Sequence, residues 1–222
     1  MRRPDAVIFD FDGVIVDTEP LHFEAFRKVL EPLGLGFPWT EYVETYMGFD
    51  DRDAFREAFR SRGRALDDVR LAQLVDAKSL VFQDIIRDGV KAYPGAVPLI
   101  RSLHASGMPL AICSGALRSD IAPILAHLGV APCFPHVVTA DDVRKSKPDP
   151  ACYTLAYQRL SLANPARVAT PSNCLAIEDT PAGIRAAKRA GLRVLAVTNS
   201  YGGEELAGAD SVIGSLEDVR IP

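Results

Sequence analysis

No apolar run in this sequence is long enough to cross a bilayer, so no membrane partner is expected. Positive charge is not in surplus: 25 Lys and Arg stand against 29 Asp and Glu, a formal charge of −4. A mildly acidic chain has no electrostatic footing for nucleic acid, which is also not expected as a partner. Cysteine is scarce. Cys113, Cys133, Cys152 and Cys174 contain no Cys-x-x-Cys pair and no zinc-ribbon spacing. Cys113 and Cys174 sit inside apolar runs, as small buried thiols do, and a reducing, cytoplasmic compartment is the expectation. An export signal is not expected: Arg2 and Arg3 precede an apolar stretch that is short and interrupted by Asp5, Asp10 and Asp12. No internal repeat, low-complexity tract or heptad seam stands out, so a monomer is the default.

What is present is an ordinary globular composition. The 222 residues are 48% hydrophobic and 24% charged, enough for one large domain or two modest ones with a real core. Short β-rich runs fall at Ala6–Phe9, Leu110–Cys113, Val137–Thr139, Cys174–Ile177, Val194–Val197 and Ser211–Ile213. Helical patterns lie between most of them, at Ala96–Ala105, Arg118–Leu128, Pro150–Leu160 and Pro181–Ala190. This alternation predicts an α/β fold around a mostly parallel sheet buried on both faces.

One interval breaks the alternation. From about Glu19 to Lys91 the apolar spacing is helical, over Leu21–Leu30, Thr40–Tyr46, Asp51–Phe59 and Asp67–Ile86, with no convincing strand. Pro32, Gly34, Gly36, Pro38 and Gly63 punctuate it. The expected organisation is a core of residues 1–17 and 92–222 with a helical domain, 18–91, inserted after the first strand. The chain would cross near Asp17–Glu19 and Gly89–Pro94.

Four residue groups could carry chemistry. Asp10 and Asp12 follow the first strand and start on the same side of it, at the end where open α/β sheets bind ligands. Gly13 then permits a tight turn. Glu178 and Asp179 end a later strand, with Thr180 placed to cap a helix and Pro181 suited to its first position. Four gathered carboxylates repel one another unless a cation binds, and an all-oxygen hydrated site favours Mg²⁺ over zinc. Ser114 and Gly115 end a third strand and offer a hydroxyl and backbone N–H groups to an anion. Lys147 precedes Pro148, which biases it to an extended conformation. Taken singly, each group also reads as a turn, a cap, a plain loop or a solvated lysine.

In combination and order they resemble the haloacid dehalogenase (HAD) superfamily. Val7-Ile8-Phe9-Asp10-Phe11-Asp12-Gly13-Val14-Ile15-Val16-Asp17-Thr18-Glu19 is similar to its opening motif nearly letter for letter. Lys147-Pro148-Asp149-Pro150 and Glu178-Asp179-Thr180-Pro181-Ala182-Gly183-Ile184 match its later ones. The helical insertion stands where the α-helical-cap subgroup, which includes β-phosphoglucomutase and phosphoglycolate phosphatase-like enzymes, carries its cap. The resemblance implies a Rossmann-like core and Mg²⁺-dependent hydrolysis of a small phosphorylated metabolite through a phospho-aspartate. Asp10 would be the nucleophile, its ordinary carboxyl pKa leaving it ionised without special tuning. Asp12 would be the general acid and base. Ser114, Gly115 and Lys147 would bind the phosphoryl group. Mg²⁺ would be held by Asp10, the Asp12 carbonyl and Asp179, with Glu178 either on the ion or one bond removed.

His22, Arg52 and Lys78 are the candidates for substrate contact from the cap, although His22 also reads as a structural histidine and the other two as exposed helix charges. Arg52 follows Gly48 by four residues, where the mutase subgroup has three, and the loop is more acidic. Two other readings remain: a β-phosphoglucomutase-like mutase using the same Asp10, and a non-catalytic, phospho-accepting or metabolite-binding regulator. Asp12 and the helical insertion argue against the regulator.

Overall fold

The computed structural model describes residues 3–219. Six strands form one wholly parallel sheet: β1 Val7–Phe9, β2 Leu110–Cys113, β3 His136–Val138, β4 Leu175–Glu178, β5 Arg193–Val197 and β6 Ser211–Ile213. Their order is β3-β2-β1-β4-β5-β6. Val7 lies opposite both Leu110 and Leu175, so β1 is central and its carboxyl end sits where the strand order changes direction. That switch point is where such sheets open a crevice. The fold is the expected Rossmann-like α/β core with a helical insertion.

Alternation along β1 sends Val7 and Phe9 to one face and Ile8 to the other. The first face packs on α5 (Ala96–Ala105) and α6 (Arg118–His127). The second packs on α7 (Ala151–Ala163) and α8 (Pro181–Arg189). All four cysteines are buried and free. β3 starts one residue earlier than expected, and Thr139 leaves the strand to cap a short turn. Among the described residues, no helix is long and apolar enough to cross a membrane.

Between β1 and β2 the chain is helical. α1 covers Glu19–Leu30, α2 Trp39–Glu41, α3 Asp51–Arg60 and α4 Asp68–Ile85. The helix expected over Thr40–Tyr46 is α2 running on into a π-helical turn at Tyr42–Tyr46. These helices bury an aromatic cluster of their own, centred on Phe26, Phe37, Tyr46, Phe55 and Phe59. The chain leaves and returns side by side: Asp17 N donates to Lys91 O at 3.0 Å, and Tyr93 N to Ile15 O at 3.0 Å.

Asp142 ties three elements beside the sheet. Its Oδ2 accepts from Thr139 N at 3.0 Å and from Arg118 Nη2 at 2.6 Å, and its Oδ1 accepts from Arg159 Nη2 at 2.7 Å. Burial alone would raise its carboxyl, but Arg159 and Thr139 hold it below the ordinary value of 3.8. A depressed carboxyl adds stability above its unfolded pKa, and that stability is lost as pH falls through the folded one. Asp142→Ala should therefore cost about 1–3 kcal/mol at pH 7. Denaturant melts should show the gap from the parent closing in acid. A gap that is the same at pH 7 and pH 3 would rule the charge out as the cause.

Candidate active site

Asp10 and Asp12 leave β1 into a turn closed by Gly13, whose φ is +73°. A side chain at that glycine would collide with the Asp179 carboxylate. At the end of β4, Glu178 and Asp179 precede α8. The Thr180 hydroxyl accepts from Gly183 N at 3.0 Å, the expected cap. Lys147 lies in the loop before α7, with a cis bond to Pro148. Its ammonium is 2.9 Å from Asp10 Oδ1 and 2.7 Å from Glu178 Oε1. Burial opposes its charge, but the two carboxylates win and hold its pKa well above the usual lysine value.

The two acids of β4 are not equivalent. Glu178 is fully committed. Tyr153 also donates to Oε1 at 2.8 Å, and Oε2 accepts from Asp179 N at 3.1 Å, Thr180 N at 3.2 Å and Thr180 Oγ1 at 3.1 Å. Asp179 takes Ser200 Oγ on one oxygen, while Oδ1 is buried without a donor. An unsatisfied buried oxygen is costly, and a cation would satisfy it. Asp10, Glu178 and Asp179 each bring an oxygen within 4.8 Å of the others. An all-carboxylate donor set suits a hard divalent ion. The residues present therefore fit a metal.

Burial first, then the Glu178 charge, push the Asp10 carboxyl well above the usual carboxylate range, and Lys147 offsets this only in part. This corrects the expectation that Asp10 ionises without tuning: a buried acid next to a second acid does not behave as a free one. A bound cation inverts that direction.

Asp12 has a different shell. Thr18 Oγ1 donates to Oδ1 at 2.5 Å, Ser114 Oγ donates to Oδ2 at 3.3 Å, and His22 Nε2 is 3.2 Å from Oδ1. On the far side of the ring, Lys78 Nζ is 2.7 Å from His22 Nδ1 and 2.8 Å from Asp51 Oδ1. An ammonium has no acceptor capacity, so Nδ1 carries the lone pair and Nε2–H points at Asp12. Burial would raise the Asp12 carboxyl, but His22, Thr18 and Lys78 together hold it below 3.8.

Asp10, Asp12, Gly115, Lys147 and His22 all line one cavity of about 60 Å³, with room for a few water-sized groups. Ser114 lies behind it, accepting Ala116 N at 2.9 Å. Two candidates from the helical insertion do not line it. Lys78 is wholly buried behind His22, not an exposed helix charge. Arg52 is tied to Asp50 at 2.8 Å and reaches Val143 O at 3.4 Å. Residues not singled out from sequence complete the site: Glu19, Tyr42, Asp50 and Asp51 in the wall, and Tyr153 and Ser200 on the acids. Thr18 and Glu19 stand within the opening motif, which was the available signal. Asp50 caps α3, accepting from Asp53 N at 2.8 Å, which is a local signal of a helix start and not of a site; Tyr42, Asp51, Tyr153 and Ser200 had none, because their partners are distant in sequence.

The model of the haloacid dehalogenase-like hydrolases matches residues 7–197. The protein CbbY of Rhodobacter capsulatus is 32% identical over 218 residues, 95% of this chain and 93% of that one. The fructose-1-phosphate phosphatase YqaB of Escherichia coli is 31% identical over 191 residues, 86% of this chain and 95% of that one. The crystal structure of CbbY from Rhodobacter sphaeroides in complex with phosphate superposes with a TM-score of 0.86 at 27% identity, covering 97% of this chain and 96% of that one. With its acid-bearing strand ends inside the matched region, this chain belongs to the haloacid dehalogenase-like hydrolases.

Proposed function

We propose that this chain is a Mg²⁺-dependent phosphatase that hydrolyses a small phosphorylated metabolite through a phospho-aspartate on Asp10. The observation that carries the reading is the meeting of Asp10, Asp12 and Lys147 at one small cavity beside Asp179. In this reading residues 18–91 are a cap over a core of 1–17 and 92–222.

Asp10 attacks phosphorus as the bond to the leaving oxygen breaks. Asp12 gives that oxygen a proton. Its pKa in the free protein is low, but a phosphate dianion brought beside it raises it by like-charge repulsion. Water then attacks phosphorus and loses its proton to Asp12, and the acyl phosphate breaks to restore the Asp10 carboxylate. Lys147 stabilises the charge on the transferring group, with the Gly115 backbone beside it. Ser114 orients Asp12 and the loop. Asp10, Asp179 and the Asp12 carbonyl would hold the metal, and Glu178 would steady Lys147 from one bond away. Bound there, Mg²⁺ offsets the carboxylate charge and polarises phosphoryl oxygens. His22, backed by Lys78 and Asp51, sets the orientation of Asp12 when the cap is closed.

The test is phosphate release from a panel of sugar phosphates and other small phosphate esters, with Mg²⁺ or with chelator. Release should fall at least tenfold with chelator and return on adding Mg²⁺, and Asp12→Ala should lose it. Release that ignores both would overturn the reading.

A further inference from the structure

Asp12 is gripped from two sides. Ser114, in the loop that leads into α6, donates to Oδ2, and His22, from α1 of the helical insertion, lies at Oδ1. Lys78 of α4 fixes His22 in turn, its ammonium 2.7 Å from Nδ1. A slip of roughly 1 Å along α4 would carry that ammonium out of hydrogen-bond reach. The next residue is Ser79. Adjacent side chains on a helix point about 100° apart, so Lys78 faces α1 and α3 while Ser79 faces α6.

The Ser79 hydroxyl accepts from Gln83 Nε2 at 3.1 Å, which leaves its own proton for Asp120 Oδ1 at 2.6 Å. Ser119 Oγ lies 3.1 Å from the same hydroxyl and 3.3 Å from the same carboxylate oxygen. Ser79 is 6% exposed and Asp120 1%, so this contact between the insertion and α6 is shut off from water. Stability alone does not explain it. Asp120 Oδ2 is buried with no donor, and an orphaned buried oxygen is a net cost. An acid in the first turn of α6 would favour that helix equally well from the surface. What the buried carboxylate does fix is the placement of α4, one residue away from Lys78.

We infer, resting on the phosphatase reading, that Asp120 is a positioning residue for proton transfer at Asp12: its bond to Ser79 sets α4 on α6 and so aims Lys78 at His22 and His22 at Asp12. The two grips on Asp12 are thereby cross-tied, because α6 follows the Ser114 loop and α4 carries Lys78. Ser79 and Ser119 also border an open cleft of about 680 Å³ beside the cavity. Holding substrate in that cleft would appear in KM, whereas aligning Asp12 appears in kcat.

The test compares Asp120→Ala and Asp120→Asn with the parent, using the full chain, Mg²⁺, and fructose 1-phosphate or p-nitrophenyl phosphate, whichever the parent turns over. Asp120→Ala should lower kcat about fivefold or more with KM within about twofold of the parent. Asp120→Asn keeps an oxygen that can accept from Ser79 and should recover most of the loss. In a His22→Gln background Asp120→Ala should lower kcat less than about twofold, because the two residues act in one line. Ser79→Ala cuts the same bond from the other side and serves if Asp120→Ala does not fold. A second arm needs no substrate. The chain has four histidines, and long-range proton–nitrogen spectra, assigned with His22→Gln, should show the His22 ring signals of the parent shifted in Asp120→Ala and returned in Asp120→Asn. A change confined to KM, equal losses with and without His22, or an Asn variant no better than Ala would each overturn the inference and leave the phosphatase reading standing. Unmoved His22 signals in a folded Asp120→Ala also overturn it. Release from no ester overturns the phosphatase reading, and the His22 signals then decide by themselves whether Asp120 aims His22.

Discussion

Asp10→Asn should stop phosphate release while leaving the fold intact. The amide has nearly the carboxylate's shape, and its oxygen can still accept from Phe11 N, now at 2.8 Å, and from Lys147. It cannot attack phosphorus or carry an acyl phosphate. Loss of a residue that forms the covalent intermediate costs roughly 10³-fold or more. Stability should move the other way. The Asp10 carboxyl is held well above 3.8 by burial and Glu178. An acid with a raised folded pKa loses stability as pH climbs from the unfolded value through the folded one. At pH 7 in chelator, Asp10→Asn should therefore melt at or above the parent's temperature. Near-parental turnover would sink the nucleophile assignment. Lost turnover with a clearly lower melting temperature would show that the mutation harmed the fold.

The legible parts of this protein are those with local signals. A period of two separates Val7 and Phe9 from Ile8, and that alternation puts Asp10 and Asp12 together past the strand end. Every strand expected from an apolar run is present, with bounds within a residue or two. Thr180 and Pro181 begin α8 because a hydroxyl cap and a proline at the first turn are local properties. Lys78 was not legible. On α4 it has the spacing of an ordinary helix lysine, and its burial is made tolerable by Asp51 from α3, His22 from α1 and the Phe26 and Phe82 rings, whose centres lie 5.0 and 4.9 Å from the ammonium. Tyr153 reads as one more apolar residue of α7 until its hydroxyl is found on Glu178. The raised Asp10 carboxyl also depends on a neighbour, Glu178, more than 150 positions away. Local pattern sets the elements and the strand-end acids. Which charge meets which is a property of the packed chain.

Lys147→Met should be the most destabilising single change at the site. The side chain is 9% exposed, and its two partners, Asp10 and Glu178, are 9% and 0% exposed. Its ammonium also lies 5.1 Å from the centre of the Tyr153 ring. Methionine fills similar space but leaves two buried carboxylates facing each other. Removing one partner of a buried ion pair costs about 3–5 kcal/mol. For a chain of this size that lowers the melting temperature by roughly 6–20 °C. The pH dependence identifies the cause. Burial works against ionised Glu178, but Lys147, Tyr153 and the Thr180 backbone hold its carboxyl below 4.5. The stability this supplies exists above the unfolded pKa and is lost as pH falls through the folded one. The variant's Glu178 lacks the ammonium and takes up a proton more readily, so its deficit should be widest near neutrality and narrow in acid. In the phosphatase reading Lys147 is the cation that faces the transferring group, so phosphate release should fall about 10²-fold or more. Lys147→Arg separates the two effects: it restores charge, and so much of the stability, but a planar fork does not replace a compact ammonium between two carboxylates. Equal melting of Lys147→Met and the parent at pH 7 would mean that the buried pair does not hold this site together.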